Sequence, residues 1–191
     1  MIKNDLIKLF QSQKGYLQAK QLSGRNHYYL LKKLMESGDV VKVKRGLYRH
    51  TQMASDNDWI EVCQVVPNGT LCLFSAWHFY GLTTHIPAEY HIAIPNKSKI
   101  ILPPFPPIKL YYWSEVYYAY GKVLVEGVSI YSLEKSVCDA VKFRNKVGKD
   151  TAIEVLRNYL SRKERNIDLL LKFAKTLRVE KVLKQYLETM L

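Results

Sequence analysis

The stretch Tyr16-Leu17-Gln18-Ala19-Lys20-Gln21-Leu22-Ser23-Gly24-Arg25-Asn26-His27-Tyr28-Tyr29-Leu30-Leu31-Lys32-Lys33-Leu34-Met35-Glu36-Ser37-Gly38, continued by Asp39-Val40-Val41-Lys42-Val43-Lys44-Arg45-Gly46-Leu47-Tyr48-Arg49-His50, decides the reading of the amino-terminal part. Two short helical runs, Leu17–Leu22 and Arg25–Ser37, flank Ser23-Gly24, and glycine suits the tight turn between two such helices. Beyond Gly38, a helix-stopping residue, the period changes. Val40–Val43 and Leu47–Arg49 alternate as strands joined at Lys44-Arg45-Gly46. A basic helix followed by a basic hairpin is the pattern of a winged helix-turn-helix, in which the helix enters a DNA groove and the hairpin straddles the backbone.

Upstream, Ile2, Leu6, Ile7, Leu9 and Phe10 recur at helical spacing, so residues 2–12 are expected to be a helix that packs on the next two. In the second of those, Leu30, Leu31, Leu34 and Met35 make the buried stripe. Arg25, Asn26, Tyr29, Lys32, Lys33 and Glu36 fall on the opposite side.

Charge is distributed in three blocks. Residues 1–50 hold 11 Lys and Arg against 3 Asp and Glu, residues 51–139 hold 5 against 8, and residues 140–191 hold 13 against 6, for a net charge of +12 over 191 residues. Basic ends around a mildly acidic middle suggest two positive surfaces. At the amino terminus the charge coincides with the motif. There Lys20, Lys32, Lys33, Lys42, Lys44, Arg45 and Arg49 are candidates for phosphate contacts, which supply affinity without sequence choice. Sequence choice is expected from Arg25 on guanine and Asn26 on adenine, since these side chains match the paired groups that those bases show in the major groove. Ser23, His27 and Tyr29 complete the candidate DNA-binding set.

Three cysteines, Cys63, Cys72 and Cys138, lack CxxC spacing and read as reduced core thiols. His78, His85 and His91, with Cys63 and Cys72 nearby, match no established zinc spacing. No cofactor or metal is expected. Met1–Asp5 carries charges where a signal peptide needs an apolar run. The uncharged run between Glu61 and Glu89 is broken by Pro67-Asn68-Gly69 and studded with polar residues, so it reads as core, and a cytoplasmic protein is expected.

The polar, aperiodic Thr51–Asp58 divides the chain into an expected DNA-binding domain over 1–52 and a second domain over 58–191. The second domain is expected to begin with helices over Trp59–Val66 and Leu71–Tyr80. Strands over Tyr90–Ile94, Lys109–Trp113 and Val123–Tyr131 follow, the last turned at Glu126-Gly127. Leu102–Pro107 is too proline-rich for either element. Ser132, Asp150 and Asn166 are expected to cap helices over 133–143, 151–161 and onward. A final helix carries Val179, Val182, Leu183, Tyr186, Leu187 and Met190 on one face. The expected class is therefore α+β, a winged helix-turn-helix followed by a mixed α/β domain with a helical carboxyl-terminal portion.

Within that second domain, Phe74-Ser75-Ala76-Trp77-His78-Phe79-Tyr80-Gly81-Leu82-Thr83-Thr84-His85-Ile86-Pro87, then Tyr90–Pro95, then Glu126–Ala140 with its Ser132-x-Glu134-x-x-x-x-Asp139 helix, follow the amino-terminal unit. This arrangement resembles the AbiEi antitoxins of type IV toxin–antitoxin, or abortive-infection, systems. Leu133 stands where proline is expected in that family, and the basic helical tail matches least. The resemblance implies a transcriptional repressor that binds inverted repeats in its own promoter. It also implies a carboxyl-terminal domain that neutralises a nucleotidyltransferase-like toxin without a stable complex.

No P-loop, GxGxxG, HExxH or Gly-x-Ser-x-Gly is present, and an enzyme is not expected. Glu134 and Asp139 do not share a helix face and read as cap and packing residues. Two alternatives remain open at this point. One is an interaction protein whose second domain binds a toxin or RNA directly; the aromatic residues Tyr111, Tyr112, Trp113, Tyr117, Tyr118 and Tyr120 read as core, and only if exposed would they stack on bases or seat a partner. The other is a degenerate nuclease using Glu89, Glu126, Lys97 or Lys99.

Overall fold

A computed structural model describes residues 2–55 and 57–190, with side chains from Asp5 onward; the side chain of Ile2 and all of Asp56, both used in the reading above, lie outside the described residues. The chain is α+β and divides into two compact units, residues 1–67 with 100–105, and residues 68–99 with 106–191.

The first unit opens with helix α1 (Ile2–Ser12), strand β1 (Tyr16–Gln18) and a single 3-10 turn at Ala19–Gln21. Helix α2 (Gly24–Glu36), strands β2 (Val40–Lys44) and β3 (Leu47–His50), and helix α3 (Asp58–Val65) follow. The three strands form an antiparallel sheet in the order β1-β3-β2.

The helix expected over Leu17–Leu22 is thus replaced by a strand and a turn. A run of six residues is too short to hold a helix by itself. Pairing Tyr16, Leu17 and Gln18 with Arg49, Tyr48 and Leu47 satisfies their backbone groups instead, and it buries Tyr16 and Leu17 in succession. The core is Leu6, Phe10, Leu17, Leu31 and Val40, with Leu30 and Leu34 packed against it. Met35, expected in this stripe, is solvent-exposed.

Thr51–Asp58 lies inside the first unit, and the division falls at Pro67–Asn68. The polar stretch is tied back through Thr51 N and Oγ1 to the Asp39 carbonyl and Ala54 N to the His50 carbonyl. It also runs against Gly15, whose φ is +85° and where a Cβ would come within 2.3 Å of the Ala54 nitrogen. Only glycine fits there.

The second unit contains β4 (Thr70–Leu71), α4 (Leu73–Phe79), β5 (Tyr90–Pro95), β6 (Ile108–Trp113), α5 (Glu115–Ala119), β7 (Lys122–Val125), β8 (Val128–Tyr131), α6 (Leu133–Lys142), α7 (Arg144–Val147), α8 (Lys149–Leu160), α9 (Ile167–Thr176) and α10 (Glu180–Met190). Its mixed sheet runs β6-β5-β4-β8-β7. The helix expected from Leu71 begins later, because Thr70 and Leu71 pair with β5 and Leu71 also pairs with β8. Ser132 and Asn166 cap α6 and α9 as expected, accepting from Lys135 N and Leu169 N. Asp150 does not cap α8. Gly148 occupies that position and Asp150 sits in the first turn, where its charge still suits the helix dipole. The apolar face of α10 is packed inward, with Leu183 and Leu187 buried. Among the described residues no helix is long and apolar enough to cross a membrane.

Helix α6 is buried from Glu134 to Val141, charged residues included. Lys135 Nζ lies 2.6 and 2.8 Å from the Asp139 oxygens. It also sits 3.9, 4.1 and 4.5 Å from the ring centroids of Tyr131, Tyr117 and Trp113. Tyr117 donates its hydroxyl to Asp139. Removing one partner of a buried pair strands the other. Asp139→Ala is therefore expected to destabilise the second unit by about 3–5 kcal/mol in urea unfolding, and Lys135→Met with Asp139→Leu to cost less than Asp139→Ala alone.

Candidate nucleic-acid interface

Helix α2 presents its polar face to solvent for a steric reason: Leu31 is buried, Leu30 and Leu34 pack beside it, and residues 100° further round must point away. Arg25, Asn26, Tyr28, Tyr29, Lys32 and Lys33 are all exposed. The helix entrance is clasped by a side chain one turn in. Ser23 N donates to His27 Nδ1 at 3.2 Å, and the Ser23 hydroxyl lies 3.4 Å from the same atom. His27 therefore accepts from the backbone N–H of the N-cap Ser23, the bond that the N3 side chain makes in a capping box, while the Ser23 side chain makes no cap bond of its own. Lys33 Nζ stands 4.8 Å from the Tyr29 ring centroid, and hydrogen bonding to Tyr29 holds its ammonium above the ordinary lysine range. Lys32 lies 3.8 Å from Glu36 with both side chains largely in solvent, a contact that contributes little and leaves Lys32 available.

The β2–β3 hairpin turns at Lys44-Arg45-Gly46, with Gly46 at φ +79°. Its Gly46 carbonyl accepts from Ala19 N at 2.8 Å, which docks the hairpin tip beside the 3-10 turn. There Lys20, Arg45, Gln18 and Gln64 line a surface groove of about 300 Å³. Lys20, Lys42 and Arg45 are exposed. Gln64 was not among the residues expected here, since it belongs to a helix assigned by sequence to the other domain.

Two of the basic residues expected at this surface have internal partners. Lys44 Nζ donates to the Val65 carbonyl at 2.7 Å, and burial lowers its pKa. It thereby places a cation at the carboxyl end of α3. Arg49 Nε lies 3.5 Å from Glu61 Oε2, the same oxygen that accepts the Tyr16 hydroxyl at 2.8 Å. Burial, reinforced by Glu61, pushes the Tyr16 phenol well above its ordinary range. Lys44 and Arg49 thus fasten α3 to the sheet, while Arg25, Asn26, Tyr29, Lys32 and Lys33 share one face of α2 and Lys20 and Arg45 share the groove.

In the second unit, Glu89 lies before β5 and pairs loosely with Lys109 at 3.9 Å. Lys97 and Lys99 follow β5, and Glu126 is in the β7–β8 turn. Among the described residues no three His, Cys, Asp or Glu side chains are grouped to hold a metal ion. His91 is buried against Phe74 and Tyr111. Burial, with Lys109 and His85 nearby, drives its pKa down from 6.5 to about 4.

Neither a protein-family model nor a curated protein matches this chain.

Two outcomes follow from these contacts. Glu61→Ala leaves Arg49 and the Tyr16 hydroxyl without their partner and is expected to destabilise the first unit by roughly 1–3 kcal/mol in urea unfolding, with Glu61→Gln losing less because it keeps an acceptor. Because His91 titrates lower folded than unfolded, the unfolded chain binds the extra proton first as pH falls. Stability present above pH 6.5 is therefore expected to be lost between pH 6.5 and about 4, and His91→Phe to flatten the melting temperature against pH across that window.

Proposed function

We propose that the first unit is a winged helix-turn-helix that binds double-stranded DNA, with α2 in the major groove and the β2–β3 hairpin as its wing, and that the protein is a transcriptional repressor. The observation that carries this reading is the exposed face of α2, where Arg25, Asn26, Lys32 and Lys33 stand clear of the buried Leu31 and lead in sequence to a hairpin tipped by Arg45. The element order and the sheet order β1-β3-β2 support it, with the short 3-10 turn standing for the first helix of the motif. Arg25 and Asn26 lie in the first turn of α2, the part of a recognition helix that contacts base edges. Lys20, Lys32, Lys33, Lys42 and Arg45 supply the phosphate contacts.

The resemblance to AbiEi antitoxins extends the reading. On that basis the repressor acts on inverted repeats of its own promoter and is the antitoxin of a nucleotidyltransferase-like toxin, neutralised without a stable complex, with the second unit carrying that activity.

Footprinting on the DNA upstream of the protein's own coding sequence tests the reading. Protection of an inverted repeat is expected at modest salt, and its absence would overturn the proposal. Five phosphate-contacting cations give an expected slope of log K against log salt of roughly −4 to −5. Arg45→Ala is expected to weaken binding to all sequences alike and make the slope shallower by about 1. Arg25→Ala is expected to cost about 1–3 kcal/mol on the operator and to relax the preference at one base pair.

A further inference from the structure

On one face of the second unit's sheet, strands β5 and β6 pair in parallel with His91 opposite Lys109 and Ala93 opposite Tyr111. Side chains two apart on a strand share a face, so Lys109, Tyr111 and Trp113 project together. The start of α4 brings Phe74, and the α6–α7 junction brings Phe143. Between them lies a cavity of about 490 Å³, within the range of about 300–1,000 Å³ that small-molecule sites occupy.

Its walls are aromatic on several sides. Phe143 stacks on Trp113, 13° apart with centroids at 5.9 Å, and Phe74 and Tyr111 line the cavity from α4 and β6. The polar groups on the wall are uncharged. Tyr111 Oη and His91 Nδ1 are 2.9 Å apart, His91 is neutral above pH 4 or so, and burial pushes the Tyr111 phenol up to about 12. Two exposed cations, Lys109 and Lys146, also line the cavity. Lys109 pairs only loosely with Glu89, at 3.9 Å with both side chains about half exposed. Leu73, buried in the same wall, holds φ at +46°, a left-handed conformation that costs a non-glycine residue free energy and that clusters at ligand sites.

We propose that this cavity binds a nucleotide, its base among Phe74, Tyr111 and Phe143 and its phosphate at Lys109 and Lys146. Aromatic faces stack on any base, and neutral hydrogen-bonding groups suit a base edge. Solvent-facing lysines suit a phosphate left outside. The ligand is either a free mononucleotide or an unpaired nucleotide of a single strand. The site is independent of the duplex-binding surface proposed for the first unit.

Isothermal titration of the full-length chain with AMP, GMP, CMP and UMP, with a mixed-sequence RNA hexamer, and with ribose 5-phosphate and inorganic phosphate tests it. Saturable binding by at least one mononucleotide or by the hexamer is expected, with ribose 5-phosphate and phosphate about tenfold weaker or worse. Lys109→Ala with Lys146→Ala, both at exposed positions, is expected to weaken that binding about tenfold and to reduce its salt dependence. Phe143→Leu, which keeps an apolar side chain on Trp113, is expected to weaken it about fivefold or more. The Arg25→Ala, Arg45→Ala chain is expected to bind the nucleotide as before, which separates this site from the duplex surface. A hexamer bound more than tenfold tighter than any mononucleotide identifies the strand as ligand, and equal affinities identify the free nucleotide. No saturable binding by any base-containing probe, phosphate alone binding as well, or wild-type affinity in both variants with unchanged thermal melts would overturn the proposal.

Discussion

An ammonium group with no access to water sits at the centre of the second unit. Taking such an ion out of water costs several kcal/mol, and the surroundings must return that through contacts of fixed geometry. For Lys135 those contacts are both oxygens of Asp139 and the faces of Trp113, Tyr117 and Tyr131. Burial lowers the Lys135 pKa and raises that of Asp139, and each ion opposes the shift in the other. One side chain therefore fixes α6 against β6, α5 and β8 together. The turn before β7 obeys the same constraint. Gly121 adopts φ +78°, and a Cβ there would fall 2.6 Å from Lys135 Cγ. Trp113, held from below by this cation, is also a wall of the aromatic cavity, so the ion pair sets the shape of a surface it does not reach.

The first unit is held differently, by hydrophobic packing plus one shared carboxylate. Glu61 on α3 takes the Tyr16 hydroxyl and pairs with Arg49, joining the helix to β1 and β3. Lys44 adds a link from β2 to the end of α3. With both of these basic residues tied to α3, although Lys44 still lines the groove, the untethered charge of the hairpin narrows to Lys42 and Arg45, beside Lys20.

Periodicity was a good guide where one face of an element is buried and the other is wet. The strands β2, β3, β5 and β6 and the helices α1, α2 and α10 follow from it. It failed in two situations. Residues 17–22 look helical, but a neighbouring strand offers their backbone better partners than a single turn could. Helix α6 has no wet face for a period to register: Glu134, Lys135 and Asp139 are all buried, because Lys135 and Asp139, four residues apart, neutralise one another inside. The short helices α5 and α7, of five and four residues, carry too few positions for any period to register. On the candidate surface, the face of α2 was legible because a single buried leucine stripe fixes it. The inward turn of Lys44 and Arg49 was not, since their partners Val65 and Glu61 lie on α3, which the polar stretch 51–58 separates from the hairpin in sequence.

Those two residues bear on how a basic chain should be read. Net charge counts every cation equally, but a cation held by a carbonyl or a buried carboxylate adds little to an external field. In the carboxyl-terminal segment Lys142 donates to the Leu177 carbonyl and Arg144 to the Val141 carbonyl. Arg162 reaches the Tyr80 carbonyl. Part of that block's positive charge therefore closes helix ends and joins elements. At the amino terminus five cations of the α2 and hairpin surfaces, Lys20, Lys32, Lys33, Lys42 and Arg45, have no such internal tether. The two basic blocks look alike as sums, and they differ in what their charges are free to meet. For that reason the case for a duplex partner rests on the face of α2 and the hairpin tip.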